Sequence, residues 1–266
     1  MANHSKTSTL ELLITGTRSG LGKYLYENMG GVELHRNTSE EAQKEIFSAD
    51  YDAIIHCAVN SSTDIDSASL YSYLDDNVLL TKRLTSIRSK LFIYMSSVDV
   101  YPQDGCLHSE DQVIDADSLR GIYATTKLAS ETLIQHLCPN YLILRGVTLL
   151  GEYSRKNILM KIIENEKCKV GLSGDSLYNI ITYVDIKNFI RLALEKNLCG
   201  IYNIASLDNI KLSDIAGSMN RKVQFGTHDY RVGNIDNRKI ASVFPSFNKS
   251  SLDSLLQYAN KIKQHD

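Results

Sequence analysis

The sequence predicts an α/β protein in which a doubly wound parallel sheet is followed by a small C-terminal lobe. Two features indicate this fold: short apolar runs alternate with longer amphipathic stretches up to residue 150, and a glycine-rich turn joins the first run directly to the first stretch. Strands that alternate with helices form parallel sheets covered by helices on both faces. With 266 residues, 43% of them hydrophobic, the chain is long enough to bury such a core.

Five short apolar runs are the predicted strands. Each has the length of a strand, and most are bounded by polar or glycine residues. The amphipathic stretches between them are the predicted helices, and the last one stops before Pro139, since proline disfavours helical backbone in the preceding residue. The strands are expected at 10–15, 32–35, 53–57, 91–95 and 141–145, and the helices at 21–29, 39–47, 67–87 and 122–137.

The alternation loosens after Gly151. No internal repeat or Pro/Ser-rich linker interrupts the chain, so the second half is expected to add elements to the sheet and to form a lobe that folds with it as one unit. Helices are predicted at 157–165, 185–196, 212–219 and 250–262, and short strands at 179–183 and 201–204.

Composition and charge exclude several classes of partner. The 29 basic and 31 acidic side chains leave a formal net charge of −2, so no basic surface for nucleic acid or an anionic membrane is expected. Residues 1–9 lack the apolar core of a secretion signal, and nowhere do about 18 apolar residues run together, so a cytoplasmic protein is expected. The five cysteines are scattered without metal-ligand spacing, which predicts free thiols and no metal. A small molecule is therefore the expected partner.

The first predicted strand ends in the turn Thr-Gly-Thr-Arg-Ser-Gly-Leu-Gly, which opens into the first helix. Its glycines permit a tight turn and a close approach of backbone to a pyrophosphate, and the helix N-terminus offers N–H groups to phosphate. The turn therefore predicts a dinucleotide site, and we divide the chain into a dinucleotide-binding domain at 1–150 and a substrate lobe at 151–266, of which about 178–205 completes the sheet. The expected cofactor contacts in the turn are Gly16, Arg18, Ser19, Gly20, Leu21 and Gly22.

The end of the second strand bears on the choice of cofactor. An acidic residue there commonly holds the adenosine ribose of NAD, but this strand ends Leu-His-Arg-Asn at 34–37. Arg36, together with Arg18, instead offers guanidinium groups to the 2′-phosphate of NADP. NADP is thus the expected cofactor and NAD the alternative, in which case both arginines are solvated surface residues.

A Tyr-x-x-x-Lys pattern occurs twice, at Tyr123 and Lys127 and again at Tyr183 and Lys187. Residues four apart lie on one face of a helix, and a nearby ammonium lowers a tyrosine pKa from its ordinary value of about 10. Such a pair can act as a general acid or base, but the pattern alone does not choose between the two copies.

The motifs of the chain come in an order that resembles the short-chain dehydrogenase/reductase superfamily. Its extended branch, the NAD-dependent epimerase/dehydratase enzymes that act on nucleotide sugars, is the most similar, and the resemblance covers nearly the whole chain. It implies a Rossmann-type fold. One departure is the glycine spacing, which is more typical of the non-extended branch. The motifs are the glycine turn, Ile55-His-Cys-Ala58, Asn77, Ser96-Ser-Val-Asp-Val-Tyr101, Tyr123-Ala-x-x-Lys127 with Glu131, Leu144-Arg145, Tyr183-Val-Asp185 and Tyr202-Asn-Ile-Ala205.

The resemblance implies a role for each matching residue. Tyr123 exchanges a proton with a sugar oxygen, Ser97 hydrogen-bonds that oxygen, and Lys127 lowers the pKa of Tyr123 and contacts the nicotinamide ribose, while hydride moves to or from the carbon. Asn77 supports the lysine through a water, with local packing as the alternative. The implied cofactor contacts further along the chain are Cys57, Ala58, Tyr123 and Lys127.

The residues after Ser97 bear on the reaction. The dehydratases of this branch carry Asp-Glu there, whereas this chain has Val98 and Asp99, so dehydration is not expected. Asp99 remains open as a single base, as a contact to a substrate hydroxyl, or as a solvated or capping side chain.

The predicted activity is reduction of a keto group on a nucleotide-activated sugar. It follows from Arg18, Arg36 and the short stretch between the second and third strands, which looks like the nucleotide-sugar reductases. The alternatives are an NAD-dependent nucleotide-sugar epimerase and, from another class, a non-catalytic dinucleotide sensor. A homodimer is the default assembly. Candidates for the substrate phosphates, with a solvated role as the alternative, are Asn157, Lys161 and Arg231.

Overall fold

The computed structural model describes residues 10–62 and 64–262. The N-terminal residues 1–9, which the secretion-signal argument concerns, lie outside this part. The strands are β1 (Leu12–Thr15), β2 (Val32–Leu34), β3 (Asp50–His56), β4 (Arg88–Ser97), β5 (Leu107–His108), β6 (Tyr141–Gly146), β7 (Thr148–Leu150), β8 (Lys167–Lys169), β9 (Leu177–Tyr178), β10 (Ile180–Thr182), β11 (Gly200–Ile204), β12 (Ile210–Lys211), β13 (Lys222–Gln224) and β14 (Asn234–Ile235).

Ten α-helices are present among the described residues, and one of them continues from another through a π-helical turn (Asp75–Leu79). They are α1 (Gly20–Met29), α2 (Glu40–Ser48), α3 (Leu70–Leu74), α4 (Leu80–Leu84), α5 (Gly121–Leu137), α6 (Ile158–Glu164), α7 (Tyr183–Lys196), α8 (Leu212–Ser218), α9 (Arg238–Val243) and α10 (Ser251–Ile262).

Six parallel strands form the central sheet in the order β11-β6-β4-β3-β1-β2. The chain leaves β1 towards one edge for β2 and then crosses to the other side of β1 for β3. This reversal places a switch point at the carboxyl ends of β1 and β3, where ligands bind in open α/β sheets. The predicted doubly wound α/β fold is confirmed.

Both faces of the sheet are buried. In β1, Leu12 and Ile14 join one apolar cluster and Leu13 joins a second on the opposite face. The same alternation occurs in β3, because successive side chains of a strand point to opposite faces. Helices therefore cover the sheet on both sides, which holds its carboxyl edge rigid.

The second half of the chain has its own apolar cluster, which α6, α8 and α10 build together with β7 and β10. Within 178–205, β11 forms an outer strand of the central sheet, whereas β10 pairs with β7 in a separate parallel ladder, with Ile180 opposite Thr148. No helix in the described ranges combines the length and apolarity needed to cross a membrane.

Two differences from the predicted elements have local causes. The helix expected at 67–87 spans only Leu70 to Leu84, because Asp66 and Ser69 close a turn before it: the Ser69 N–H donates to Asp66 Oδ1 at 2.8 Å. The ladders β5 with β14, β8 with β13 and β9 with β12 were not predicted, since runs of two or three residues carry no readable periodicity.

Candidate active site

A cleft of about 950 Å³ lies at the carboxyl ends of the central strands. It is lined by the glycine turn, the end of β2, the segment after β3, the start of α5 and the segment after β7. All the predicted cofactor contacts line it, namely Gly16, Arg18, Ser19, Gly20, Leu21, Gly22, Arg36, Cys57, Ala58, Tyr123 and Lys127.

The glycine turn is shaped by two close backbone approaches. Gly16 has φ 76°, and a Cβ there would lie 2.8 Å from the backbone nitrogen of Ala58. A Cβ at Gly22 would lie 2.5 Å from the Gly16 carbonyl oxygen. Only glycine fits at both positions, so the turn keeps its backbone open to the cleft and its residues fit the pyrophosphate of a dinucleotide.

The end of the cleft next to β2, where the adenosine of a dinucleotide is expected, is called the adenosine end. It carries side chains of positive and of negative charge. Arg36 donates a hydrogen bond to the carboxylate of Asp76, which also accepts one from Asn60 Nδ2 at 2.9 Å. Arg83 forms a second pair, with Asp75 at 2.8 Å. The Arg36 side chain is 77% exposed, so its charge is within reach of a ligand in the cleft. Sequence reasoning identified Arg36 but missed Asp76, because the pairing joins β2 to a helix 40 residues later.

Tyr123 and Lys127 line the other end of the cleft, and Ser97 lies next to Tyr123. Ser97 is the last residue of β4, and Tyr123 and Lys127 lie on successive turns of α5, which packs beside β4. Lys127 Nζ donates to the Met95 carbonyl at 2.6 Å and lies 5.8 Å from the centroid of the Tyr123 ring. The predicted trio is thus assembled around one tyrosine.

The protonation of this trio differs in part from the prediction. Burial raises the pKa of Tyr123, the negative charge of Asp99 raises it further, and a hydrogen bond with Ser97 lowers it. Burial also lowers the pKa of Lys127 to about 8. The predicted lowering of the Tyr123 pKa by Lys127 is not seen in this structure, because burial dominates and the ammonium group is directed to the Met95 carbonyl.

Asp99 is half-buried next to Ser97 and Tyr123. Its Oδ2 accepts a hydrogen bond from Ser97 Oγ at 3.0 Å, and its backbone N–H donates to Ser97 Oγ at 3.2 Å. Burial raises the pKa of the Asp99 carboxyl. Its charge raises the pKa of Tyr123 and, after burial, that of Tyr230, which comes from the second half of the chain. Asp99 therefore lies between the catalytic trio and the second half of the chain.

The side chain of Asn77 is bound by the segment after β3. Its side chain accepts a hydrogen bond from the Asn60 N–H at 2.7 Å and donates to the Asn60 carbonyl at 2.9 Å. Its own carbonyl accepts from Ser130 of α5 at 2.8 Å. The amide is thus occupied by the segment after β3, so Asn77 positions one wall of the cleft and anchors α5, which is the local packing given as the alternative. A contact to Lys127 through a water stays a prediction.

The second Tyr-x-x-x-Lys pattern belongs to the start of α7. Thr182 and Asp185 form a capping box there, and the buried Tyr183 packs so tightly on Gly151 that a Cβ at that glycine would overlap its ring. Lys187 lies over the ring of Tyr24, 5.8 Å from its centroid. Helix capping and packing explain this copy, and Tyr183 forms part of the cleft wall beside Gly20.

A buried polar network joins α5 to the strands of the central sheet next to the site. Arg145 of β6 pairs with Glu131 of α5 at 2.7 Å and donates to the Tyr101 hydroxyl at 2.8 Å. Ser96 donates to the same Glu131, and Tyr101 donates to Asn203 of β11 at 2.8 Å. The network ties α5 to three neighbouring strands or strand ends, which fixes the positions of Tyr123 and Ser97.

The residues proposed for substrate phosphates do not form one group. Asn157 lines the cleft, and its Oδ1 accepts from the Met160 N–H at 2.9 Å as the cap of α6. Arg231 is exposed and lies 3.6 Å from Asp229, and Lys161 is within α6. Arg155 and Ser154, which do line the cleft, were missed because they lie in an irregular segment without a motif. The described ranges contain no cluster of three potential metal ligands.

The site defines an enzyme that binds a nicotinamide dinucleotide. It combines the glycine turn, the cleft at the switch point of the sheet, and Ser97, Tyr123 and Lys127. A model of the NAD dependent epimerase/dehydratase family matches residues 28–205, which is more than half of the chain. The protein belongs to that family, and the predictions of the family and of an NAD(P)-dependent enzyme are confirmed. No curated protein sequence matches the chain.

Solved structures with the same fold include three kinds of nucleotide-sugar enzyme. dTDP-4-dehydrorhamnose reductase from Bacillus anthracis in complex with NADP has a TM-score of 0.76 at 18% identity, with 95% of this chain and 99% of that chain covered. UDP-glucuronic acid 4-epimerase from Bacillus cereus, in complex with UDP-glucuronic acid and NAD, has 0.74 at 17%, covering 97% and 100%. An NAD-dependent NDP-hexosamine 5,6-dehydratase of tunicamycin biosynthesis has 0.78 at 16%, covering 97% and 99%. At these identities the likeness establishes the fold alone.

Proposed function

We propose that the protein reduces a keto group on a nucleotide-activated sugar with NADPH. The observation that supports reduction is that Arg18 and Arg36 line the cleft, because their guanidinium groups suit the 2′-phosphate of NADPH, the reductant. Burial and the charge of Asp99 raise the pKa of Tyr123, so this side chain carries its proton near neutral pH. Reduction of a ketone needs a proton donor at the oxygen, whereas oxidation of an alcohol needs a base.

In this mechanism each side chain has one task. The cofactor, when bound along the glycine turn, supplies hydride to the keto carbon. Tyr123 donates its proton to the keto oxygen as negative charge develops there, and Ser97 holds that oxygen by a hydrogen bond. Lys127, whose pKa burial lowers to about 8, lies 5.8 Å from the centroid of the Tyr123 ring, is held there by the Met95 carbonyl, and is proposed to contact the nicotinamide ribose. Asn77 and the Glu131–Arg145 pair hold the two walls in place.

Val98 separates reduction from dehydration. The elimination of water needs an acid and a base beside the serine, and of the two positions after Ser97 only Asp99 carries a carboxyl. The second half of the chain, 151–266, is proposed to bind the sugar nucleotide, because Tyr230 reaches Asp99 and Tyr123 from there. A cytoplasmic location and a homodimer, as expected from the sequence, belong to the same proposal.

An NAD-dependent 4-epimerase is the second candidate, and one observation favours it. Asp76 lies in the adenosine end of the cleft and neutralises Arg36. A carboxylate there is suited to the ribose hydroxyls of NAD and repels the 2′-phosphate of NADP. The preference between the two cofactors therefore distinguishes the candidates. A non-catalytic sensor is disfavoured because Ser97, Tyr123 and Lys127 are intact and assembled.

The experiment is incubation of the protein with NADPH and a panel of keto-nucleotide sugars, with NADPH oxidation as the readout. A reductase oxidises NADPH in the presence of at least one sugar and loses this activity in Tyr123→Phe. An epimerase interconverts nucleotide sugars with no net change in the cofactor. Tight dinucleotide binding without turnover of any sugar would favour the sensor.

A further inference from the structure

The segment at 151–157, between β7 and α6, crosses the mouth of the cleft, and we call it the strap. Its first residues form a closed turn: the Gly151 N–H donates to Ser154 Oγ at 2.9 Å, and the Ser154 N–H donates to the Gly151 carbonyl at 3.1 Å. Tyr153 in this turn has φ 68°, a left-handed conformation that costs free energy in a residue other than glycine. The strap is thus held in a defined, strained shape.

The strap touches the glycine turn directly. The Gly20 N–H, in the first turn of α1, donates to the Tyr153 carbonyl at 2.9 Å, and Lys23 Nζ lies 4.1 Å from the centroid of the Tyr153 ring. The N-terminal N–H groups of this helix are the ones that a pyrophosphate uses in such folds. The strap therefore lies beside the part of the glycine turn where the pyrophosphate of a dinucleotide would bind.

Arg155 joins the strap to the segment after β3, which forms another wall of the cleft. Its Nη1 donates to Ser61 Oγ at 2.6 Å, and Ser61 belongs to the segment after β3 that Asn77 positions. Both residues line the cleft. A single hydrogen bond between side chains 94 residues apart thus joins two walls of the cleft.

The charge of Arg155 has a neutral partner. Within the part of the chain that the structure describes, no carboxylate lies within 4.0 Å of its guanidinium, whereas Arg36 and Arg83 in the same cleft are both paired with aspartates. Its charge reaches both ends of the site, because it lowers the pKa values of Tyr123 and Tyr183, which burial raises. Arg155 is therefore a cation between the glycine turn and the reacting end of the cleft.

We propose that Arg155 binds the pyrophosphate of the dinucleotide and that the strap closes over the cofactor by exchanging Ser61 for a phosphate oxygen. A guanidinium forms charge-assisted, bidentate hydrogen bonds to phosphate that a serine hydroxyl cannot match. The sugar nucleotide is the less suitable ligand, since the strap contacts the glycine turn while Asp99 and Tyr230 lie on the substrate side of Tyr123. This inference rests on the proposed dinucleotide function.

The test measures dissociation constants of wild type, Arg155→Ala, Arg155→Lys and the control Lys156→Ala for three probes. Lys156 is an exposed neighbour in the strap that does not line the cleft. The probes are NADPH, ADP-ribose, which keeps the pyrophosphate without nicotinamide, and adenosine 2′-monophosphate, which lacks the pyrophosphate. We expect Arg155→Ala to bind NADPH and ADP-ribose roughly tenfold to a hundredfold more weakly, with a smaller loss in Arg155→Lys and none in Lys156→Ala. Binding of adenosine 2′-monophosphate should be unchanged in all variants.

Three outcomes overturn the inference. Unchanged NADPH and ADP-ribose binding in Arg155→Ala would remove Arg155 from the pyrophosphate, and a raised KM for the sugar with unchanged dinucleotide binding would assign it to the substrate instead. An equal loss for adenosine 2′-monophosphate would indicate general damage to the cleft, which a thermal melt of the variant would register independently. Failure of the wild type to bind any dinucleotide would instead overturn the proposed function itself.

Discussion

Ser97 donates a hydrogen bond to the carboxylate of Asp99, with 3.0 Å between Oγ and Oδ2. The serine that is expected to hold the substrate oxygen is therefore linked to a half-buried acid that also acts on Tyr123. Neighbouring charge and burial together set the protonation of the site, and the sign of their effect favours a tyrosine that carries its proton.

Replacing Asp99 by Asn should lower the pKa of Tyr123. A nearby negative charge disfavours the phenolate, so its removal lets the hydroxyl ionise at lower pH, and proton donation is lost at lower pH than in the wild type. The phenolate absorbance of each protein minus that of its Tyr123→Phe counterpart follows this one residue. Asp111→Asn, which removes an exposed charge, is the control. An unchanged Tyr123 pKa in Asp99→Asn would contradict the assigned role of Asp99.

Tyr123→Phe should abolish turnover and leave cofactor binding intact. Loss of a general acid costs roughly 10²- to 10⁴-fold in rate, whereas the dinucleotide is held mainly by the glycine turn. Tyr183→Phe is the matched control, since it removes the hydroxyl of the other Tyr-x-x-x-Lys copy and should keep most of the rate. Steady-state kinetics and NADPH titration check both variants. Equal activity losses in the two would mean that the choice between the two tyrosines is wrong.

The Arg36 and Asp76 pair should set the cofactor preference. Arg36→Ala removes a cation expected at the 2′-phosphate and should weaken NADPH binding roughly tenfold with little effect on NADH. Asp76→Asn frees Arg36 and removes a repulsive carboxylate, so it should strengthen NADPH binding relative to NADH. Titration of both cofactors against both variants gives the two ratios. An unchanged ratio of NADPH to NADH affinity in both variants would show that the adenosine of the cofactor does not bind at Arg36 and Asp76.

Gly16→Ala should prevent dinucleotide binding. A Cβ at Gly16 meets the Ala58 backbone at 2.8 Å, and the φ of 76° is strained for alanine, so the turn must move. Gly217→Ala is a stringent control, because this glycine lies in α8 with no atom within 4 Å of an added Cβ. That control should retain binding and gain about 0.5–1 kcal/mol in the free energy of unfolding. Normal NADPH binding by Gly16→Ala would contradict the prediction that the glycine turn binds the dinucleotide.

Glu131→Gln should destabilise the protein by about 3–5 kcal/mol, because it leaves the buried Arg145 charge unpaired. Asp175→Asn breaks the exposed pair with Lys211 and should give no measurable change. Urea unfolding of the two variants compares them. Similar stabilities would mean that the network behind the site does not hold it together.

The central sheet could be predicted because its signals are local. The predicted strand at 91–95 falls within β4, and the predicted helix at 122–137 agrees with α5. The glycine turn joins β1 to α1, as its spacing indicates. The resemblance to the short-chain dehydrogenase/reductase superfamily placed Tyr123, Lys127 and Ser97 in one site, and the carboxyl ends of parallel strands do share one edge of the sheet.

The remainder depends on contacts between distant segments. The partner of Arg36 is Asp76, the partner of Asn77 is Asn60, and the partner of Arg155 is Ser61, and no spacing rule connects these pairs. The pKa of Tyr123 could not be predicted for the same reason, because burial outweighs the effect expected from the lysine four residues away.

The most direct test of reduction is hydride tracing with NADPH that carries deuterium at the transferred position. The product sugar is analysed by mass spectrometry after incubation with wild type and with Tyr123→Phe. We predict a product that carries one deuterium from the cofactor, formed by the wild type alone and in step with NADP⁺. Conversion of a nucleotide sugar without deuterium from the added cofactor would contradict reduction and establish epimerisation with a retained dinucleotide.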